Sequence, residues 1–354
     1  MKVAVYAPAT SANLSVGFDL LGLAVKCVDG KKLGDIVVAA DFEEQDVNLA
    51  SSEQPSVAFY GKGKFIGKLG TNLKSNLVYR AYELFKAQLE QLGLEIKPVT
   101  LTLYKNMPVG SGLGSSSSSS VAALVALNEF HGQPLDKTTM LTLMGELEGL
   151  VSGSPHYDNV APAYLGGLQL MLPAAYAPYP GAKPCALKEG ELTLSLPPVF
   201  ANWYWVLAYP GIVVKTEEAR RILPDAYSRS HIIQQSAFMA SFIHAVHTQD
   251  NELAARSLRD FVAEPYREQL LPNHQHLREL LFTHGAKACG ISGSGPTFYA
   301  LAPSLEVAQA LEQVFKQHYL QNAEGFVHIC QTDFVGAQVL TEEEFTQFLQ
   351  AEEH

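Results

Sequence analysis

Residues 108–120 read Pro-Val-Gly-Ser-Gly-Leu-Gly followed by six consecutive serines. Glycines at 110, 112 and 114 let a backbone fold closely round an anion, and the apolar run Val121 to Phe130 predicts a helix directly behind them. The first turn of such a helix offers unpaired N–H groups and the positive end of its dipole, so phosphate oxygens can be held there without many lysines. A serine hydroxyl at the helix start can also meet the divalent cation that accompanies a polyphosphate. Composition alone would equally permit a flexible Gly/Ser linker. Linkers, however, are not usually wedged between a β-forming run and an apolar helix with a Leu113 at their centre. The loop lacks the Gly-Lys-Ser/Thr ending of a Walker A loop, and a dinucleotide fingerprint would need an acidic partner about 20 residues on.

The elements that must position this loop are legible on both sides. Lys2 to Ala7, Leu21 to Val28 and Asp35 to Ala40 are short β-rich runs separated by Gly, Pro, Asn and Asp. Asn76 caps a helix predicted over Leu77 to Leu92 and stopped at Gly93, and a strand over Val99 to Tyr104 leads into the loop. A helix from Lys137 to Leu150 follows, carrying Glu148 and, two residues earlier, a Glu146 that should point away. The Pro-, Ala- and Gly-rich stretch from Pro173 to Pro198 marks a long connection and a change of domain. Beyond it the spacing predicts a strand at Trp203 to Tyr209, then helices at Thr216 to Leu223, His231 to His247 and Asn251 to Val262. Another helix stops at Gly285, a strand pair surrounds the turn Gly290 to Pro296, and Thr341 with Glu344 forms a capping box for the last helix.

Bulk properties exclude several classes. With 354 residues the chain exceeds one ordinary core, and 47% hydrophobic with 17% charged residues is a globular balance. A formal charge of −11 argues against nucleic acid or an anionic membrane as partner, so any anion must be captured locally. Cys27, Cys185, Cys289 and Cys330 form no Cys-x-x-Cys or Cys/His cluster, which predicts reduced thiols and no zinc site. The histidines, including His244 with His247 and His274 with His276, match no zinc spacing either. No Gly-x-Ser-x-Gly elbow supports a serine hydrolase. With no apolar secretion core behind Met1 and no run of 18 apolar residues, the expected location is the cytoplasm.

Pro108 to Ser116 resembles the second motif of the GHMP kinases, Pro-x-x-x-Gly-Leu-Gly-Ser-Ser. Pro8-Ala-Thr-Ser-Ala-Asn-Leu-Ser-Val-Gly-Phe-Asp-Leu-Leu-Gly22 resembles the first motif in the form homoserine kinases carry, and Gly290-Ile-Ser-Gly-Ser-Gly-Pro-Thr297 resembles the third. Ser154 to Pro162, Lys215 to Pro224 and Glu264 to Arg267 agree with the same kinases, so the resemblance covers nearly the whole chain. It implies an α+β, two-domain GHMP kinase fold, with a ribosomal protein S5 domain 2-like N-terminal domain over 1–165 and a ferredoxin-like C-terminal domain over 166–354. The activity implied is transfer of the ATP γ-phosphate to the side-chain hydroxyl of L-homoserine, a step toward threonine. Another GHMP kinase acting on mevalonate or a sugar, or a non-catalytic ligand-binding protein on the same fold, are the alternatives.

Site roles follow from the resemblance residue by residue. Pro108, Gly110, Ser111, Gly112, Leu113, Gly114, Ser115 and Ser116 would bind ATP, with Asn76 and Lys105 bordering it. Ser116 and Glu148 would share Mg²⁺. Arg220 and Arg267 would clamp the substrate carboxylate, with the adjacent Arg221 a rival to Arg220. Asp19 would face the ammonium and Asn13 the hydroxyl end, while His156 and Thr216 would lie in the substrate pocket. Asn159 would stand beside the reacting hydroxyl, and Asp158 is a candidate general base. Homodimer formation and inhibition by threonine are left open by the sequence.

Overall fold

Runs of Val, Leu, Ile and Tyr that bury one or both faces build the strands. The computed structural model describes residues 1–42, 57–70, 72, 75–153, 155–173 and 190–352. Ser154, Cys185 and most of the Pro-, Ala- and Gly-rich connection lie outside the described residues. The strands of the first half are β1 (Lys2–Pro8), β2 (Thr10–Ala12), β3 (Leu21–Cys27), β4 (Gly34–Asp41), β5 (Val57–Lys62) and β6 (Val99–Tyr104). Those that follow are β7 (Leu168–Met171), β8 (Thr193–Ser195), β9 (Tyr204–Tyr209), β10 (Ala288–Ile291), β11 (Phe298–Ala302), β12 (Phe326–Thr332) and β13 (Gln338–Leu340). Helices α1 (Leu77–Gln91), α2 (Ser115–Phe130), α3 (Lys137–Ser152) and α4 (Val160–Leu165) belong to the first half. The second holds α5 (Thr216–Arg221), α6 (Arg229–Thr248), α7 (Asn251–Ser257), α8 (Glu264–Arg267), α9 (His274–Thr283), α10 (Leu305–His318) and α11 (Glu342–Glu352).

One sheet has the order β13-β1-β4-β6-β5, antiparallel except for the parallel β5·β6 pair. Helices α1 to α4 cover it, with Val37, Leu101, Tyr82, Leu124 and Met144 in their shared core. The second sheet runs β10-β11-β9-β12-β3-β7-β8, with β2 paired to β3. Alternation along β9 sends Trp205 and Leu207 toward Phe242 and Ala245 of α6, and Val206 and Ala208 toward Leu277 of α9 and Phe315 of α10. That sheet is therefore covered by helices on both faces. The two halves exchange strands: β3, from the first 27 residues, sits between β12 and β7, and β13 closes the edge beside β1. Residues 10–22 thus lie where the sheets meet, which is what brings them to the glycine loop.

Most expected elements form within a residue or two, including the capping box, in which Glu344 N–H and the Thr341 N–H are satisfied reciprocally. Two expectations are corrected. The helix behind the glycines begins at Ser115 and not near Val121: Gly114 takes the left-handed conformation (φ 66°) that ends the loop, and Ser117 to Ser120 are all buried helix residues. Their small side chains let α2 pack closely on β1 and β4, and three of the four hydroxyls find partners; Ser118 Oγ, for example, donates to Ala7 O at 2.7 Å. Helix α7 stops at Ser257 rather than Val262, because the Asp260 carboxylate accepts from the N–H groups of Val262, Ala263 and Glu264 and starts α8 instead.

Candidate active site

The three glycine-bearing segments converge on one another. Thr297 N–H donates to Ser111 O at 3.0 Å, Gly293 N–H to Ala12 O at 3.1 Å, and Thr10 N–H to Leu113 O at 3.1 Å. Gly112 has φ 80°, and a Cβ there would fall 2.5 Å from Ser292 O, so only glycine allows the loop to lie against the third segment. Beside this junction opens a cavity of about 840 Å³. It is lined by Asn13, Asp19, Asn76, Lys105, Gly110, Ser111, Gly112, Gly114, Ser115 and Ser116. Glu148, His156, Asp158, Asn159, Thr216, Arg220 and Arg267 line it too. The structure therefore brings together the expected site residues except Pro108 and Leu113, which are buried beneath the loop and support it from behind.

At the loop end, Lys105 lines the cavity but turns its ammonium inward, to the protein. Its ammonium is 2% exposed and is consumed by an ion pair with Asp35 and by bonds to Ser115 O (2.9 Å), Ser115 Oγ (2.6 Å) and Ser119 Oγ (3.1 Å), more partners than its three protons. Asp35 is fully buried and also accepts from Ser119 Oγ at 2.5 Å, Asn106 N at 2.9 Å and Met107 N at 3.1 Å. Burial, partly offset by Asp35, pulls the Lys105 pKa below its ordinary value. This network clamps the start of α2 to β4 and β6. Sequence reading missed Asp35 and Ser119, although a lone carboxylate in the apolar run Asp-Ile-Val-Val-Ala-Ala was a signal that it had a buried partner.

Glu148 projects from α3 toward the same turn. Ser116 Oγ lies 3.3 Å from each of its carboxylate oxygens and Ser117 Oγ donates at 2.9 Å, so Ser117, not foreseen, is its closest hydroxyl. Burial pushes the Glu148 pKa up, against the two serines and Arg220. A carboxylate held so has reason to attract a divalent cation, which restores its charged form. Glu146 faces outward, as expected.

The other end of the cavity is charged. Arg220 grips Asp19 with both Nη atoms, at 3.0 and 2.7 Å, and lines the cavity, while the neighbouring Arg221 is exposed and outside its lining. Arg267, 3% exposed, donates through Nε to Ala219 O and through Nη1 to Gly293 O. Both guanidinium groups lie over the Phe18 ring, 5.8 and 5.3 Å from its centroid. Asn13 spans the first and third segments, accepting from Asp19 N at 2.9 Å and donating to Gly293 O at 3.0 Å. Asn13, Leu14 and Ser15 all have positive φ (71°, 46° and 59°), a run of left-handed residues of the kind that concentrates at ligand sites. Asn76 caps α1 through Val78 N. His156 has its pKa lowered by burial and then by Arg220.

Between the two ends stand Asp158 and Asn159. Asp158 is buried, and burial, then Asp19 and Glu148, raise its pKa to about 7. Asn159 Oδ1 accepts from Thr10 Oγ1 at 2.7 Å.

Comparison with known proteins agrees with this geometry. The GHMP kinases N terminal domain matches residues 76–167 and the GHMP kinases C terminal model matches residues 242–321. A homoserine kinase from Cytophaga hutchinsonii is 31% identical, with a TM-score of 0.78 over 96% of this chain and 97% of that one. A chain from Listeria monocytogenes provisionally assigned as a homoserine kinase is 22% identical (TM-score 0.63, covering 96% and 100%). The L. major mevalonate kinase, solved with R-mevalonate, is 15% identical (TM-score 0.61, covering 95% and 97%) and so shares the fold. Among the described residues no helix is long and apolar enough to cross a membrane.

Proposed function

This chain belongs to the GHMP kinase family of ATP-dependent small-molecule kinases, and from that premise we propose that its acceptor is L-homoserine, phosphorylated on the side-chain hydroxyl. The observation that carries this is the Asp19–Arg220 pair at the cavity wall beside Arg267. A zwitterion can enter such a pair without leaving a charge unpaired: its ammonium goes to Asp19 and its carboxylate to Arg220 and Arg267. A sugar offers neither group, and mevalonate offers a carboxylate with no cation for Asp19. The 31% identical relative is a homoserine kinase, which supports the same choice.

In this reading ATP phosphates lie along residues 110–116, with Asn76 and Lys105 at the border and Pro108 and Leu113 behind. Ser116 and Glu148 would hold Mg²⁺, which supplies charge neutralisation to the transferring phosphoryl group when bound. His156 and Thr216 flank the acceptor, and Asn159 places its hydroxyl. An amide takes up no proton at working pH, so the chain's own contribution is positioning and the N–H groups at the start of α2. Residues 1–165 would then carry the phosphate loop and 166–354 complete the acceptor site. L-Threonine, with the same ammonium and carboxylate, would compete for that end.

An ADP-release assay across L-homoserine, mevalonate, galactose and L-serine tests the reading. Turnover with homoserine at least 100-fold above the other three is expected; equal or greater turnover with mevalonate or galactose overturns it.

A further inference from the structure

Thr10 is fully buried, and nothing in the reading above gives it a role. It stands at the start of β2, where its N–H holds Leu113 O and its Oγ1 reaches Asn159 Oδ1 at 2.7 Å. The space around this bond is closed on the loop side. A Cβ on Gly114 would lie 2.1 Å from Thr10 Oγ1 and 2.9 Å from Asn159 Oδ1, so loop, hydroxyl and amide are in mutual contact. Asn159 lines the cavity, and no described residue accepts from its Nδ2.

We infer that Thr10 is a positioning residue: its hydroxyl holds the carbonyl end of the Asn159 amide, so that the N–H end faces the acceptor hydroxyl. The two ends of an amide differ in chemistry and not in shape, so packing alone cannot choose between them. In this structure the Thr10 hydroxyl donates to Oδ1, and while its proton stays in that bond the Nδ2 end is the one left toward the cavity. With Oδ1 occupied, an acceptor oxygen in the cavity receives an N–H from Asn159, and its own O–H is turned elsewhere. The second lone pair of that oxygen stays available to the phosphoryl group. With the amide reversed, the cavity would present a carbonyl, the acceptor O–H would point at it, and the oxygen would be rotated away from its line of approach. This assignment rests on the reading of Asn159 as the residue beside the hydroxyl.

The test uses the full chain with MgATP and L-homoserine, comparing Thr10→Val, Thr10→Ser, Asn159→Ala and the double variant Thr10→Val/Asn159→Ala. Thr10→Val removes the hydroxyl and keeps the branched shape; losing one neutral hydrogen bond that also orients a reacting group should lower kcat about 5- to 100-fold. KM for ATP and for homoserine should change less than about 3-fold, and Thr10→Ser should return kcat to within about 3-fold of the parent. In the double variant kcat should equal that of Asn159→Ala, because the hydroxyl then has no amide to orient. Multiplicative losses in the double variant, or a raised KM for ATP at unchanged kcat, would overturn the assignment and place Thr10 in support of the loop through Leu113. Asn159→Ala with unaltered kcat would instead sink the reading of Asn159 itself. Should Thr10→Val not fold, Thr10→Ala in thermal melts and kinetics takes its place, and failure of Thr10→Ser to match the parent in kcat counts against the inference.

Discussion

At the loop end of the cavity Asp35 and Lys105 form an ion pair 0% and 2% exposed, with every remaining donor and acceptor met by serines and backbone. At the acceptor end Asp19 and Arg220 form one 28% and 32% exposed, made by two parallel bonds and open to the cavity. The two pairs have the same chemistry and opposite surroundings. In the first, low dielectric makes separation costly, so the pair behaves as a fixed rivet under the start of α2. In the second, solvent screens the pair, and a ligand bearing both charges can replace each partner at little net cost. A phosphate site built largely from backbone N–H groups must be held rigid, because those groups act only when they point together at the anion. A site for a zwitterion of the kind proposed, built from side chains, can stay paired with itself when empty.

The largest expected effect breaks the rivet. Lys105→Met leaves Asp35 buried without its cation and should destabilise the fold by about 3 to 5 kcal/mol in urea unfolding. A loss below about 1 kcal/mol would mean that the serines and backbone suffice. Glu148→Ala should lower kcat about 100- to 1000-fold and raise the magnesium requirement together, leaving unfolding midpoints near the parent. Unchanged magnesium titrations would remove Glu148 from the metal site. Arg267→Ala should weaken homoserine about 10- to 150-fold, at about 1.5 to 3 kcal/mol for a bond to a charged group, with ATP hardly affected. Equal damage to both ligands would show that its bonds to Ala219 and Gly293 matter more than any carboxylate.

Asp158 sits between the two regions and sharpens the contrast by pH. Its folded pKa of about 7 is above the 3.8 of an ordinary aspartate, so the native state binds this proton more tightly than the unfolded chain. The associated stability is complete below pH ~4 and is lost as pH rises through ~7. Asp158→Asn should therefore flatten the pH dependence of unfolding between about pH 4 and 8 and leave kcat within about 100-fold of the parent. A loss far above 1000-fold, with an acidic limb removed from the kcat profile and MgATP binding intact, would make Asp158 the base. The smallest effect belongs to the half-buried pair at the cavity wall: Asp19→Asn should cost about 1 kcal/mol of stability or less while raising KM for homoserine.

Much of this was written locally in the chain. The glycines at 110, 112 and 114, the cap at Asn76 and the Thr341–Glu344 box act through their own backbone and near neighbours, and each was legible from residue type and spacing. The start of α2 was misjudged because six serines look like loop when their burial is unknown; only contact with β1 and β4 makes them helix-compatible core. Three choices of partner were beyond any local signal: that the cation buried with Asp35 is Lys105, 70 residues away, that Arg220 and not Arg221 meets Asp19, 201 residues away, and that Thr10 reaches Asn159, 149 residues away. Sequence determined which groups could bind phosphate, a cation and an amino acid, because those capacities reside in the residue types. Tertiary structure alone decided which charges are spent on the protein and which are left for a ligand, since desolvation and partner distance depend on how distant segments pack.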